Sequence, residues 1–178
     1  SEDVVHYVKH MARPFIFSAA MPPGSVGAVL ACLDLVESEP EHIENLRKNA
    51  ARMSREITAL GYNTLGSQTP IVPLLVGDDD LAFTFTRALY EEGVFATPVV
   101  NPAVPSGCAL IRTSYMATHT DDELNQVLEV LEKLGKRFEI IGNPERQAKL
   151  NSTAETIFGK KSPTSGPSPL QPVLAANP

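Results

Sequence analysis

Residues 38–142 alternate between two hydrophobic periods, one helical and one extended. Apolar residues recur at three- and four-residue steps in three segments, and short β-branched runs cover residues 71–76, 94–100 and 109–114. The first period places an apolar stripe on one side of a helix, and the short runs are typical of strands. With a further apolar helix before them, these segments predict an α/β fold in two layers. The expected order is helix, helix, strand, helix, strand, strand, helix.

Three local features refine this prediction. Pro73 lies inside the first β-branched run, which favours an edge or bulged strand because proline donates no hydrogen bond. Asp79 is expected to cap the helix that follows. The helix over residues 23–36 has Asp34 as its only charge, and a helix so apolar is expected to be mostly buried.

The last 36 residues differ in composition from the rest of the chain. Residues 143–178 contain six of the fifteen prolines, together with many small polar residues. Such a segment buries too little apolar surface to offset the entropy of ordering it. We therefore predict a disordered Pro/Ser-rich tail over 143–178, with a proline-rich ligand for a partner's aromatic groove as the alternative.

Charge and cysteine content exclude several classes of protein. The net charge of −6 argues against a nucleic-acid or anionic-membrane surface. The sequence has no apolar run near the ~20 residues of a membrane span and no signal-peptide pattern. Cys32 and Cys108 are too few for a disulfide framework or a zinc site. A cytoplasmic protein with two reduced thiols is the expectation.

Two groups of polar residues are weak candidates for metal sites. His6 and His10 are spaced to share a helical face, but no third ligand is evident,. Asp78–Asp80 could bind a cation, yet acidic residues at a helix start are more simply explained as a cap that complements the macrodipole. The sequence predicts no metal site.

Arg112 is the most unusual residue of the predicted strands. It stands within the apolar run over 109–114, directly after a loop with two prolines. Strand alternation places Leu110, Arg112 and Ser114 on one face. A guanidinium on such a face either binds a carboxylate with two parallel hydrogen bonds or lies in solvent or in a salt bridge. The spacing alone leaves both possibilities open.

Three segments in this order resemble the C-terminal part of the α-oxoamine synthases. They are RPFIFSAAMPP at residues 13–23, IVPLLVGD at residues 71–78 and PAVPSG at residues 102–107, which leads into the strand with Arg112. The resemblance covers roughly residues 1–142 and is greatest to the serine palmitoyltransferase and 8-amino-7-oxononanoate synthase type. These enzymes are fold-type I transferases that use pyridoxal 5′-phosphate.

The resemblance implies a truncated fold-type I chain. Residues 1–37 would be the end of the large domain with a connecting helix, and residues 38–142 the C-terminal small domain. The implied activity joins an amino acid to an acyl-CoA with release of CO2 and CoA, in a homodimer. Alternatives are a fragment of an aminotransferase and a non-catalytic subunit or binding domain of the same fold.

The same resemblance implies roles for particular residues. Arg112 would bind the amino-acid carboxylate, and Pro105 and Ser106 would border the substrate. Ser18 would donate a hydrogen bond to the cofactor phosphate across the dimer interface. No segment matches the family's Schiff-base lysine, so this chain alone is expected to be inactive and to supply no catalytic residue.

Overall fold

The computed structural model describes residues 1–159, in which the chain forms two units with the boundary after Pro40. The first unit contains three helices, α1 (Glu2–Met11), α2 (Arg13–Ile16) and α3 (Pro23–Ser38). The second unit contains α4 (Glu41–Ala59), β1 (Ile71–Gly77), α5 (Asp79–Glu91), β2 (Thr97–Val99), β3 (Ala109–Ser114), α6 (Asp121–Arg137) and α7 (Pro144–Phe158). From α3 to α6 the order is the predicted one. No helix in this described part of the chain is both long and apolar enough to cross a membrane.

Helix α3 corrects one prediction. It was expected to be mostly buried, but none of its residues is buried, and Val29, Leu30 and Leu33 are about half exposed. The helix begins with Pro23, at a position where proline is tolerated because its missing N–H would have no partner within the helix,. An apolar composition indicates that a helix packs against another surface, but it does not identify that surface.

The second unit is built on a three-stranded antiparallel sheet in the order β1-β3-β2. Pro73 therefore lies on an edge strand, and the register of β1 against β3 shifts between Leu75 and Gly77. Both outcomes match the prediction for a strand that contains proline. Arg112 lies on the central strand, opposite Pro73 on one side and Thr97 on the other.

The main core lies between one face of this sheet and the helices α4, α5 and α6. Its fully buried side chains include Met53, Ile57, Val72, Leu74, Phe85, Leu89, Ile111, Leu131 and Leu134. Tyr62 is buried among them and donates a hydrogen bond of 2.8 Å to the carbonyl of Leu131. The Asn49 amide donates to the carbonyls of Met116 and His119 at 3.0 and 3.1 Å. This pair of bonds ties α4 to the turn that follows β3.

Side chains cap the helices that follow the sheet strands. The Asp78 carboxylate accepts a 2.8 Å hydrogen bond from the backbone of Leu81, so Asp78 caps α5 and the prediction of Asp79 is wrong by one residue. An N-cap residue needs an extended backbone, and Asp78 has it, whereas Asp79 already lies in the helix,. At the start of α6, Thr120 and Glu123 form a capping box, in which each side chain bonds to the other residue's backbone N–H,.

Helix α7 corrects the prediction of a disordered tail. Residues 144–158 are helical, the Asn143 side chain accepts a 3.1 Å hydrogen bond from the Arg146 backbone, and Ala154 is buried. Only one of the six prolines of the predicted tail falls in this stretch, at the first helical position, where proline is tolerated,. The high proline content of residues 143–178 as a whole concealed the fact that residues 144–158 contain a single proline. Residues 160–178, with the proline-rich ligand alternative, lie outside the described residues.

Candidate functional site

The sheet has an outer face, opposite the main core, that carries the candidate site. Strand alternation and the observed register define its members. They are Ile71, Pro73, Leu75, Thr97, Val99, Leu110, Arg112 and Ser114, with Cys108 on the same side just before β3. The prediction that Leu110, Arg112 and Ser114 share one face of β3 is confirmed, since Ile111 and Thr113 are buried on the opposite face.

Burial changes along this outer face. At one end Leu75 and Cys108 are fully buried in a second apolar cluster with Ala154, and Leu65, Val104 and Leu150 pack against it. At the other end Ile71, Thr97, Arg112 and Ser114 are exposed. The outer face is therefore covered by α7 and the 101–107 loop at one end and open at the other.

Arg112 is the charged group of the open end. Its side chain is exposed and makes no hydrogen bond or ion pair with any residue from 1 to 159. A guanidinium offers five donors in a planar fork, and here all of them are available to an anion. Of the alternatives that the sequence left open, a salt bridge is not found within the described residues. Thr97 adds a hydroxyl-bearing side chain directly opposite Arg112, a neighbour that only the strand register reveals.

The loop of residues 101–107 leads into β3 on the same side of the sheet. Pro105 and Ser106 are exposed at its tip, whereas Val104 is half-buried and points into the second apolar cluster. The amide of Cys108 donates a 3.0 Å hydrogen bond to the Pro105 carbonyl. Arg112 follows Cys108 by four residues, or about 13 Å along a strand. Arg112, Pro105 and Ser106 thus share one side of the second unit.

Ser18 belongs to the first unit. It follows α2, is exposed, and donates its hydroxyl to the Phe15 carbonyl at 2.9 Å. The hydroxyl would exchange this local bond for one to a phosphate oxygen. Its role in binding phosphate stays a prediction.

The remaining candidates have local explanations. The rings of His6 and His10 are tilted by 33° with centroids 4.4 Å apart, and the Nδ1 of His10 lies 2.8 Å from the His6 carbonyl. Within residues 1–159 no three metal-ligating side chains come together. Cys32 is exposed and Cys108 buried, both as free thiols, and burial raises the pKa of the Cys108 thiol.

Comparison with known proteins explains why these segments occur together. Residues 1–131 match the model of the family described as aminotransferase class I and II. The chain belongs to this family. Serine palmitoyltransferase of Bacteriovorax stolpii is 49% identical over 140 residues, which cover 79% of this chain and 33% of that protein. The Thermus thermophilus 8-amino-7-oxononanoate synthase/2-amino-3-ketobutyrate coenzyme A ligase is 52% identical over 130 residues, 73% of this chain and 33% of that protein.

A solved structure shows the same relationship in three dimensions. A point variant of serine palmitoyltransferase from S. paucimobilis, with bound PLP-myriocin aldimine, superposes with a TM-score of 0.68 at 28% identity, covering 76% of this chain and 35% of that one. The resemblance to the α-oxoamine synthases and the fold-type I assignment are thereby confirmed, and the cofactor of the family is pyridoxal 5′-phosphate. The chain spans about a third of the length of the relatives that it matches.

The described residues fit this cofactor in part. Ser18 carries a hydroxyl suited to a phosphate oxygen, and Arg112 carries a cation suited to the carboxylate of an amino acid. The five lysines within residues 1–159, Lys9, Lys48, Lys133, Lys136 and Lys149, are all exposed and lie on helices. An exposed lysine on a helix surface lacks the shielded setting in which an amine is activated for covalent chemistry.

Proposed function

We propose that this chain is the C-terminal part of an α-oxoamine synthase, which condenses an amino acid with an acyl-CoA and releases CO2 and CoA. The observation that carries the proposal is the exposed guanidinium of Arg112, which has no partner in the described residues and lies on the open end of the outer face. Family membership and the identity to two such enzymes support it. When bound, the cofactor supplies an electron sink for the carbon atom next to the carboxylate.

Arg112 binds the carboxylate of the amino acid in this proposal. Two parallel N–H···O bonds fix both the position and the plane of a carboxylate, which a single ammonium cannot do. The central strand holds the arginine backbone in place, since β3 is bonded on both edges. Preorganisation of this kind lowers the entropy that is lost when the substrate is oriented.

The other predicted residues have supporting roles. Pro105 and Ser106, exposed at the tip of the 101–107 loop, border the substrate, and Ser18 donates to the cofactor phosphate across a homodimer interface. The exposed apolar side chains on α1 and α3 are typical of a surface that packs against another part of a larger protein or against a second subunit,. The exposed lysines support the expectation that residues 1–159 alone are inactive. Two unpaired cysteines fit a cytoplasmic protein,.

The test replaces Arg112 by lysine in the full-length protein. Arg112→Lys keeps the charge and loses the fork, so we expect the dissociation constant of the amino acid to rise by about 10- to 100-fold. The affinity for acyl-CoA and the melting temperature should stay as they are, because the Arg112 guanidinium has no hydrogen-bond or ion-pair partner among residues 1–159. Arg87→Lys is the matched control, since Arg87 is exposed on α5 and, among residues 1–159, its side chain bonds only to Glu91. Unchanged affinity for the amino acid in Arg112→Lys would overturn the role.

Product analysis separates the two alternative functions. A synthase releases one CO2 and one free CoA for each amino acid consumed, whereas an aminotransferase yields a 2-oxo acid and needs no thioester. A non-catalytic subunit gives neither product by itself. Isotope-labelled amino acid and a thiol assay for CoA measure both products on the same sample.

A further inference from the structure

Helix α7 lies beyond the residues that match the family, which end at residue 131. It nonetheless packs against the covered end of the outer face. Ala154 is 6% exposed, and with Leu75 and Cys108 it forms the second apolar cluster, against which Leu150 packs. Burial of these side chains gives α7 a fixed position on the second unit.

Polar contacts along α7 add to this packing. The guanidinium of Arg146 donates to the Val76 carbonyl at 3.3 Å, and the Gln147 amide donates to the Gly61 carbonyl at 3.0 Å. The Asn63 amide donates to the side-chain oxygen of Asn151 at 2.6 Å. Two of these bonds satisfy backbone carbonyls at the ends of other elements, so the helix has one preferred register on the sheet.

The same helix closely approaches the bulged end of β1 at Gly77 and the end of the 101–107 loop at Gly107. An added Cβ at Gly77 would collide with the Leu150 side chain and lie 3.5 Å from the Gly107 carbonyl. An added Cβ at Gly107 would lie 3.9 Å from the Thr153 methyl group. Both glycines have φ above +80°. The absence of side chains therefore lets α7, the bulged end of β1 and the end of the loop meet closely.

We propose that α7 is a positioning element for substrate binding, because it holds the inner side of the 101–107 loop through Leu150, Thr153 and Ala154. Val104 is the loop residue that packs, half-buried, against the second apolar cluster, as Leu150 does. With α7 docked, the loop and the start of β3 have one arrangement, and β3 carries Arg112. With α7 displaced, the loop samples several arrangements, and the substrate has to order it on binding. This inference rests on the proposed function only in its claim about substrate.

The test compares one substitution at two positions of α7 in the full-length protein with Cys32→Ser. Ala154→Glu puts a charge at the buried contact and displaces the helix, whereas Ala148→Glu makes the same change at an exposed position,. The first readout is the labelling rate of the Cys108 thiol, which α7 shields. We expect Ala154→Glu to raise this rate about tenfold or more and Ala148→Glu to leave it unchanged.

The second readout is steady-state kinetics. Ala154→Glu should raise the KM for the amino acid about three- to tenfold with kcat within about twofold, as expected when ordering of a loop is added to binding. Leu150→Ala is the milder variant if Ala154→Glu fails to fold, and it should shift both readouts in the same direction. Faster labelling with unchanged KM, or unchanged labelling, overturns the proposal. If the wild-type protein lacks synthase activity, the proposed function fails, whereas the labelling comparison still decides whether α7 is docked over Cys108, directly after the loop.

Discussion

At the scale of single residues, the contact between Gly135 and Tyr62 gives a prediction opposite to helix propensity. Gly135 lies inside α6, where alanine is normally favoured by about 1 kcal/mol. An added Cβ would collide with the Tyr62 hydroxyl and lie 2.9 Å from the ring carbon that bears it. Tyr62 cannot yield easily because it is buried and bonded to Leu131. We therefore expect Gly135→Ala to lower the free energy of unfolding by about 1–3 kcal/mol.

The control for this prediction is a double-mutant cycle. With Tyr62→Ala already in place the collision with the ring is gone, and the remaining neighbour at 3.0 Å is the flexible end of the Ile141 side chain, so Gly135→Ala should then be neutral or stabilising,. Urea unfolding of the four proteins measures the coupling. A destabilisation of equal size in both backgrounds would show that something other than the ring opposes a side chain at position 135.

At the scale of elements, the N-terminus of α6 makes stability depend on pH. Glu123 accepts hydrogen bonds from the Thr120 backbone and hydroxyl, and the first of these contributes most to a lowered pKa of its carboxyl. A carboxyl with a lower pKa in the folded state stabilises the fold above its unfolded pKa, and loses that effect as the pH falls through the folded pKa. The difference in stability between wild type and Glu123→Gln should therefore be present at neutral pH and disappear in acid.

Urea unfolding at several pH values checks this expectation. Glu129→Gln removes the same charge from an exposed position of the same helix, away from its N-terminus, and should not reproduce the pH dependence of Glu123→Gln. A stability difference for Glu123→Gln that stays constant into acid would exclude the capping carboxylate as its source.

At the scale of the whole molecule, the two units differ in how they are stabilised. Residues 1–38 contain no buried residue, whereas the second unit has a continuous core of more than a dozen apolar side chains. A polypeptide of residues 41–159 should therefore fold alone and melt cooperatively, and residues 1–40 alone should not. Circular dichroism on heating distinguishes these cases.

Removal of α7 gives a second prediction at this scale. Residues 41–142, which lack α7, should melt at a lower temperature than residues 41–159, because Leu75 and Cys108 lose the helix that covers them. Equal melting temperatures would contradict the packing described for α7.

Hydrophobic period and capping chemistry determined much of the second unit from sequence alone. The order of elements from α4 to α6 and the side of β3 that bears Arg112 follow from spacing, and the edge position of Pro73 follows from its missing N–H, because these features depend on neighbours within a few residues. The three quoted segments were enough to indicate the family. The roles of Arg112, Pro105, Ser106 and Ser18 stay predictions, since they concern ligands.

Only the tertiary structure decided what each surface contacts. Sequence could not show that α3 is exposed, that α7 forms within a proline-rich stretch, or that Thr97 lies opposite Arg112. Each of these features depends on contacts with a segment that is distant in the sequence. Ala154 is buried because it packs on Leu75 and Cys108. The register of β2 is set by its pairing with β3. Local pattern specifies that a segment has an apolar or polar side, and packing between distant segments specifies what that side contacts.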